Sequence, residues 1–365
     1  MAKVFHLKQK RKVQIARVMN NPSKIAVIGA GSWGTALAVL LGQKHNNVQL
    51  WAHRRAHSDE IAASRENNKY LPGVILPKGL LITDNLEAAV SEATVVVMVV
   101  PSHSYRHVFS QLIPYLPPDC RVVSAVKGIE NSSLKTMTQV MEELLKLYCK
   151  TDGEYQADRH KGIELGVLSG PSFAKEVAHS VPTAVTVGFK NIRVAQEIQK
   201  VFVTDYFRVY ASSDLIGLEI SAALKNIIAI ATGVCDGLGY GLNTRAALIT
   251  RGLAEITRLG IALGAEHSTF SGLSGVGDLL LTCTGSLSRN RTVGLKLGEG
   301  KNIAQIKDEM QMVAEGIKTT RSAFELAERV GIDMPILEQV HSIIYENKDC
   351  AEAVRDLLKR EPKVE

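Results

Sequence analysis

Three glycines directly after a short apolar segment restrict the architecture of this chain strongly. Residues 25–28 are apolar throughout, and Gly29, Gly31 and Gly34 follow at the spacing Gly-x-Gly-x-x-Gly, before the apolar, helix-prone segment 35–41. This order predicts a strand, a tight turn and a helix. In such a unit the second glycine lets a pyrophosphate approach the backbone, and the helix N-terminus offers N–H groups to it. The segment therefore predicts a dinucleotide-binding site.

The rest of the chain divides into an alternating part and a helical part. Further strand-like segments occur at 48–51, 94–100, 121–126, 164–168, 183–187 and 207–210. Strands that alternate with helical stretches predict parallel βαβ units. From about Ser212 the strand signal stops, and 214–232 has helical spacing. The predicted fold class is α/β, with an N-terminal Rossmann-type dinucleotide-binding domain at 23–211 and an all-α C-terminal substrate domain at 212–360.

The net charge of +6 has one local source. Residues 1–22 contain six Lys or Arg and no acidic residue, so the remainder has equal numbers of basic and acidic side chains. Diffuse binding of nucleic acid or of an anionic membrane by the whole protein is therefore not predicted. We interpret 1–22 as a basic N-terminal tail, either solvated or an extension upstream of a natural start at Met19. A transit peptide is disfavoured because the segment lacks Ser and Thr.

The cysteines and the apolar runs bear on the compartment. Five scattered cysteines without a Cys-x-x-Cys pair favour reduced thiols and a cytoplasmic location. No apolar run approaches the roughly 20 residues that span a bilayer, so membrane insertion is not predicted. Metal-ligand spacings such as His-Glu-x-x-His and the nucleophile motif Gly-x-Ser-x-Gly are missing from the sequence, so we expect neither metal nor acyl-transfer chemistry.

The residues after the second strand bear on cofactor choice. Sites that prefer NAD usually place an acidic residue about 20 residues beyond the glycine motif, whereas this chain has His53-Arg54-Arg55. Guanidinium groups bind a ribose 2′-phosphate through charge-assisted hydrogen bonds. We therefore predict NADP as the preferred cofactor, with NAD also used. The alternative is that these are ordinary surface arginines.

Lys225 is the strongest candidate for proton transfer. It lies among apolar residues in 220–230, and burial there would lower its pKa toward neutrality. The alternative is a lysine whose ammonium group reaches water. Asp278, after a glycine-rich segment, could hold Lys225 or the substrate, or could simply cap a helix. Four glycines in 233–241 predict an interruption of the helix, and Asn243 or Thr244 could cap the next one.

Ser288, Arg289 and Asn290 offer a hydroxyl, a guanidinium and a carboxamide in succession. Such a set suits a phosphate or carboxylate on a small substrate. By itself the tripeptide is not specific, and a solvated loop is the alternative.

Several of these segments together resemble one enzyme family. They are Gly29-Ala-Gly-Ser-Trp-Gly-Thr-Ala-Leu-Ala38, Ala125-Val-Lys-Gly-Ile-Glu130, Ser169-Gly-Pro-Ser-Phe-Ala-Lys-Glu176, Ala223-Leu-Lys-Asn226 and Gly275-Val-Gly-Asp278. With Ser288-Arg-Asn290 they are similar to the bacterial type of NAD(P)-dependent sn-glycerol-3-phosphate dehydrogenase, in the same order from about 24 to about 358. The resemblance implies reversible hydride transfer between NAD(P)H and dihydroxyacetone phosphate, for glycerophospholipid synthesis.

The resemblance also implies roles for individual residues. Cofactor contacts fall on the three motif glycines and on Ser32, Trp33, His53, Arg54, Tyr70, Lys127, Ala174, Arg289, Val313 and Glu315. Substrate contacts fall on Lys127, Gly170, Ser172, Lys225, Asp278, Ser288, Arg289 and Asn290. Lys225 would be the proton acceptor of the oxidative direction, and no metal is implied.

Two rival functions remain open from the sequence. A related reductase of a β-hydroxyacid or ketoacid would also join a dinucleotide-binding domain to a helical one, but would bind a carboxylate in place of the phosphate. A non-catalytic NADP-binding sensor would have no need for Lys127, Lys225, Asp278 and Arg289 together. The expected partners are the small-molecule substrate and a second copy of the chain in a homodimer, with no nucleic acid.

Overall fold

The computed structural model describes residues 24–151, 160, 162–310 and 314–361. The predicted basic tail at 1–22, with Met19, lies outside the described residues. The chain forms two compact units. The sheet unit contains the described residues of 1–126, 138–168 and 172–215, and the helical unit those of 127–137, 169–171 and 216–365. The helical unit thus includes two short segments from within the predicted first domain, and the boundaries 23–211 and 212–360 stay a prediction.

The sheet unit is built on an eight-stranded sheet that is mostly parallel. Its strands are β1 (Ile25–Ile28), β2 (Val48–Trp51), β5 (Leu80–Thr83), β6 (Val95–Met98), β7 (Arg121–Ser124), β8 (Glu164–Ser169), β9 (Thr183–Phe189) and β10 (Phe207–Ser212). They are ordered β10-β9-β8-β7-β6-β1-β2-β5. The chain crosses from the β5 edge back to β6, beside β1, so the strand order reverses next to β1. Ligands of open α/β sheets bind at such a point, beyond the carboxyl ends of the strands.

Helices connect these strands. They are α1 (Ser32–Lys44), α2 (Arg55–Ser64), α3 (Leu86–Val90), α4 (Ser102–Leu112), α5 (Met137–Thr151), α6 (Ala174–Ala178) and α7 (Ile192–Phe202), with a 3₁₀ turn at Ile113–Tyr115. The central strands β1 and β6 are fully buried, which explains why their sequences are apolar without alternation. The alternation predicted from the sequence is confirmed, and with it the α/β class.

Three short strands were not predicted. β3 (Glu66–Asn67) and β4 (Leu71–Ile75) form a small antiparallel pair, and β5 lies at the edge of the main sheet. β4 contains Pro72 and Gly73, which are both unfavourable in strands. β5 has only four residues, a length at which periodicity does not separate strand from helix.

The described part of the helical unit consists mainly of helices, and the all-α prediction is confirmed. They are α8 (Leu215–Gly237), α9 (Leu242–Ala262), α10 (His267–Phe270), α11 (Asp278–Thr284), α12 (Arg289–Gly298), α13 (Ile303–Glu309), α14 (Glu315–Val330), α15 (Pro335–Tyr345) and α16 (Cys350–Leu358), with a π turn at Leu273–Gly277. Among the described helices, α8 alone is long and apolar enough to cross a membrane. Since 94% of its apolar window is buried inside the protein, α8 is a core helix.

The predicted interruption of the helix at 233–241 is wrong for its first half. α8 continues through Gly233 to Gly237, and α9 starts after Gly241, which occupies the N-cap without a side-chain cap from Asn243 or Thr244. A Cβ at Gly233 would overlap the Arg291 carbonyl oxygen. The glycines therefore serve close packing of α8 on α12, an advantage that outweighs their low helix propensity.

Gly294 makes this contact from the side of α12, where a Cβ would overlap the Ile230 carbonyl oxygen. We expect Gly294→Ala to lower the free energy of unfolding by about 1–3 kcal/mol, because the two backbones would have to separate. Thermal denaturation measures the effect. Gly79→Ala is the control, since a Cβ at Gly79 would meet nothing closer than 3.7 Å. Equal melting temperatures for the two variants would contradict the close-packing role.

Candidate active site

The glycine turn lies between β1 and α1, as predicted. Gly29 has φ +121°, and a Cβ there would lie 2.7 Å from the Val99 carbonyl oxygen. A Cβ at Gly34 would overlap the Gly29 carbonyl oxygen, whereas a Cβ at Gly31 would meet nothing within 4 Å. The N-cap of α1 is Gly31, which has no side chain with which to cap the helix. The turn is therefore tight at its first and third glycines and open at the second, where a pyrophosphate would approach.

The other predicted cofactor residues of the sheet unit lie on neighbouring segments. The Ser32 hydroxyl donates to the Tyr70 carbonyl oxygen at 2.5 Å, which ties α1 to the β3–β4 turn. His53 follows β2 and packs edge-on against Trp51, with 5.6 Å between ring centroids. Arg54 is exposed at the N-cap of α2.

Two observations test whether this unit fits a dinucleotide. The space beside Gly31 is open, so the backbone can be approached there. The Trp33 indole Nε1 is buried and has no hydrogen-bond partner among the described residues, although a buried donor normally has one. Both fit a bound pyrophosphate dinucleotide, with the turn as its cradle.

The helical unit brings two lysines onto one buried carboxylate. Lys225, on α8, donates from Nζ to Asp278 Oδ1 at 2.5 Å. Lys127 donates to Asp278 Oδ2 at 2.9 Å and to the Gly170 carbonyl oxygen at 3.2 Å. The Asp278 side chain is 1% exposed. Four of the predicted substrate residues are thus joined by direct hydrogen bonds, and Asp278 does more than cap a helix.

Burial decides the proton chemistry of Lys225. The residue is 5% exposed, which rules out an ammonium group that reaches water. Desolvation, with a smaller effect from the positive charge of Lys127, lowers the pKa of Lys225 to about 7, although the Asp278 carboxylate opposes the change. An amine with a pKa near neutrality can both take up and release a proton at physiological pH.

Gly170 follows β8 with φ +139°, a conformation that L side chains rarely adopt. Its carbonyl oxygen thereby lies within reach of Lys127. Ser172 and Ala174 belong to the sheet unit, and Ala174 begins α6.

Ser288, Arg289 and Asn290 form the start of α12 and not a solvated loop. Ser288 is the N-cap, and its hydroxyl accepts a hydrogen bond from the Arg291 N–H at 3.3 Å. The Asn290 carboxamide oxygen accepts from the Gly316 N–H at 3.0 Å, which joins α12 to the start of α14 beside Glu315. Arg289 is exposed at the N-terminus of the helix. Val313 lies outside the described residues.

Two residues at these sites were missed from the sequence. Thr282 accepts a hydrogen bond from Lys225 Nζ at 2.7 Å. Its position four residues after Asp278 on a helix was the available signal, because residues at that spacing share a face. Asn67 is fully buried beneath the glycine turn, and nothing in its sequence neighbourhood marked it. Groups of three or more metal-ligating residues do not occur in the described part of the chain.

Comparison with known proteins identifies the family. The family model for the N-terminus of NAD-dependent glycerol-3-phosphate dehydrogenase matches residues 24–195, and the model for its C-terminus matches 214–355. The chain belongs to the NAD-dependent glycerol-3-phosphate dehydrogenase family. This confirms the resemblance stated from the sequence motifs.

Individual members of the family are similar over nearly their whole length. A glycerol-3-phosphate dehydrogenase [NAD(P)+] of Desulfotalea psychrophila is 58% identical over 346 residues, which are 95% of this chain and 99% of the relative. The enzyme of that name from Citrifermentans bemidjiense is 51% identical over 342 residues, covering 94% and 98%. The crystal structure of glycerol-3-phosphate dehydrogenase from Coxiella burnetii is similar with a TM-score of 0.84 and 38% identity, covering 92% of this chain and 99% of that one.

Proposed function

We propose that this chain is an NAD(P)-dependent oxidoreductase that interconverts dihydroxyacetone phosphate and sn-glycerol 3-phosphate. The family supports this reaction over that of a ketoacid or β-hydroxyacid reductase. The observation that carries the mechanism is the buried cluster of Lys225, Asp278 and Lys127. It provides a proton-transfer group with a pKa of about 7.

The proton moves through Lys225. When bound, the cofactor supplies hydride to C2 of the ketone, or accepts it from the alcohol. In reduction the Lys225 ammonium group donates its proton to the C2 oxygen, and in oxidation the neutral amine removes the proton of the C2 hydroxyl. Asp278 and Thr282 hold Nζ in place, and the negative charge of Asp278 favours the ammonium form.

We assign the substrate phosphate to the N-terminus of α12. Arg289 supplies a guanidinium there, and the helix N-terminus favours an anion. Ser288 and Asn290 fix this segment through their bonds to Arg291 and Gly316. Gly170 and Ser172 complete the proposed substrate set. Binding energy from the phosphate thereby serves to orient C2.

We assign the dinucleotide to the turn at Gly29, Gly31 and Gly34 and to Ser32, Trp33, His53, Arg54, Tyr70 and Ala174. The open space at Gly31 supports this assignment, as does the buried Trp33 Nε1, which finds no hydrogen-bond partner in the part of the chain that the structure describes. The roles of Lys127, Arg289, Val313 and Glu315 toward the cofactor stay predictions from the resemblance.

Cofactor preference provides a separate prediction. Arg54 is exposed at the end of β2, where a 2′-phosphate would lie. We expect Arg54→Ala to weaken NADPH binding about tenfold and to leave NADH binding unchanged, because only NADPH carries the additional phosphate. Fluorescence titration with both cofactors measures this. Arg208→Ala is the control, since Arg208 is an exposed arginine of the same unit on β10, the strand at the opposite edge of the sheet. Equal losses for NADPH and NADH would contradict the assigned role of Arg54.

The reaction itself is tested by a spectrophotometric assay. Purified protein is given dihydroxyacetone phosphate with NADPH or NADH, in parallel with 2-ketopantoate as the ketoacid substrate. Oxidation of NAD(P)H with dihydroxyacetone phosphate and not with 2-ketopantoate is the expected result. No absorbance change with dihydroxyacetone phosphate and either cofactor would contradict the proposal.

We also propose a homodimer in the cytoplasm that supplies sn-glycerol 3-phosphate for glycerophospholipid synthesis. The five cysteines are free thiols in the structure, in keeping with a reducing compartment. Light scattering during size-exclusion chromatography tests the oligomeric state, and a monomer mass would contradict the dimer.

A further inference from the structure

Asn67 lies at the centre of a buried hydrogen-bond network next to the glycine turn. The residue is 0% exposed. Its Nδ2 donates to the Ala30 carbonyl oxygen at 2.9 Å and to the Thr35 hydroxyl oxygen at 2.7 Å. Its Oδ1 accepts from the Tyr70 backbone N–H at 3.3 Å and bonds with His57 Nε2 at 3.1 Å. Both hydrogens and both lone pairs of the carboxamide are therefore used.

The partners fix which end of the carboxamide points where. The Ala30 carbonyl oxygen can only accept, so it faces Nδ2, and the Tyr70 backbone N–H can only donate, so it faces Oδ1. His57 Nε2 must then carry a proton and donate to Oδ1. An aspartate at position 67 would place an acceptor against the Ala30 carbonyl oxygen, although its shape is nearly the same.

The network joins the segments assigned to the cofactor. Ala30 lies between Gly29 and Gly31, and because the peptide unit is planar and trans, fixing its carbonyl oxygen also fixes the direction of the Gly31 N–H. Tyr70 is held at its N–H by Asn67 and at its carbonyl oxygen by Ser32. The Tyr70 ring also packs edge-on against the His57 ring, with 5.3 Å between centroids.

We propose that Asn67 is a positioning residue for the dinucleotide. It holds the glycine turn, which is assigned to the pyrophosphate, in a fixed relation to Tyr70 and to the start of α2, where Arg54 lies. The site is thereby preorganised before the cofactor binds, which reduces the cost of ordering it. This inference rests on the proposed function, since it assumes that the turn binds NAD(P).

The test is the isosteric substitution Asn67→Asp. We expect the Kd of both NADPH and NADH to rise about tenfold, because the buried Ala30 carbonyl and Thr35 hydroxyl oxygens lose their donor and meet a carboxylate. The kcat at saturating NADPH should stay close to the wild-type value, because Asn67 touches neither the substrate nor Lys225. Fluorescence titration gives Kd, and steady-state assays with dihydroxyacetone phosphate give KM and kcat.

A matched core variant separates positioning from loss of stability. Ile198→Ala truncates a fully buried side chain of α7 in the same unit, so it should lower the melting temperature but leave Kd unchanged at a temperature where the protein is folded. If Asn67→Asp fails to fold, His57→Phe keeps an aromatic ring beside Tyr70 and removes one donor, and should raise Kd about threefold.

The outcomes distinguish the two claims. The role of Asn67 would be overturned if the wild-type protein binds NADPH and Asn67→Asp binds it with the same Kd. The same holds for His57→Phe where that variant is used in place of Asn67→Asp. A fall in kcat with Kd unchanged would overturn it as well. Wild-type protein that binds neither NADPH nor NADH would instead overturn the proposed function, and the inference with it.

Discussion

Replacement of Lys225 by alanine is expected to lower kcat by a factor of about 10²–10⁴, the usual contribution of a positioned proton-transfer group. Lys225 is buried and its pKa is lowered to about 7, so it exists in both protonation states near neutral pH. In Lys225→Ala no group of comparable pKa remains at that position. The Kd of NADPH should change little, because the glycine turn and its neighbours are unaltered. Steady-state or stopped-flow assays measure kcat, and titrations with NADPH measure its Kd.

Two further variants sharpen this prediction. Lys225→Arg keeps a cation but cannot release a proton near neutral pH, so it should be as inactive as the alanine variant. Lys348→Ala is the control. Lys348 pairs with Asp356, with 2.6 Å between Nζ and Oδ2, and does not belong to the Lys225 cluster, so this variant should retain wild-type kcat. Near-normal turnover of Lys225→Ala or Lys225→Arg would refute the assignment of Lys225 as the proton donor.

Asp278→Asn is expected to lower both the stability of the protein and the pKa of Lys225. Its carboxylate lies between two ammonium groups, 2.5 Å from Lys225 and 2.9 Å from Lys127. Removing one partner of a buried ion pair typically costs about 3–5 kcal/mol, because the remaining charge is left uncompensated. The carboxylate also raises the pKa of Lys225 against the effect of burial. Without it the pKa of Lys225 should fall further, and less of the ammonium form should be present at pH 7.

The pH dependence of kcat distinguishes this effect from simple loss of stability. For reduction, kcat should decrease with rising pH as Lys225 loses its proton, and in Asp278→Asn this decrease should begin at a lower pH. Asp236→Asn serves as the control, and in this variant kcat should decrease over the same pH range as in the wild type. Asp236 is another buried carboxylate between two cations, Arg245 and Arg291, but no hydrogen bond or ion pair links it to Lys225. Identical pH profiles for Asp278→Asn and the wild type would show that Asp278 does not control the pKa of Lys225.

Sequence patterns predicted those features that depend on interactions between residues close together in the chain. The glycine spacing predicted the turn after β1 because Gly29 adopts a positive φ and Gly34, five residues later, has no room for a Cβ beside the Gly29 carbonyl oxygen. The apolar surroundings of Lys225 on the same helix left two interpretations, a buried amine or an ammonium group in water, and the 5% exposure of the residue decides for burial. The position of Asp278 after a glycine-rich segment indicated that it could hold Lys225, and the family resemblance then named Lys127, but neither predicted that the two lysines share one carboxylate.

Features that depend on distant segments were not predictable in this way. Lys127 and Asp278 are 151 residues apart in the chain, and no periodicity relates them. The continuation of α8 through Gly233 depends on the backbone of α12, which lies far along the sequence. Asn67 lies in a polar stretch of sequence, a composition typical of an exposed segment. In the fold it is nevertheless buried against Ala30 and Thr35.

The most direct test of the mechanism is the pH dependence of kcat in both directions, measured at saturating substrate and cofactor. Reduction requires the ammonium form of Lys225 and oxidation the neutral amine, so kcat should fall through about pH 7 for dihydroxyacetone phosphate and rise through it for glycerol 3-phosphate. Both substrates carry a phosphate monoester, so a titration of that group would change the two directions in the same sense. Opposite dependences that disappear in Lys225→Ala are the predicted result. Parallel dependences, or opposite ones that persist in Lys225→Ala, would contradict proton transfer by Lys225.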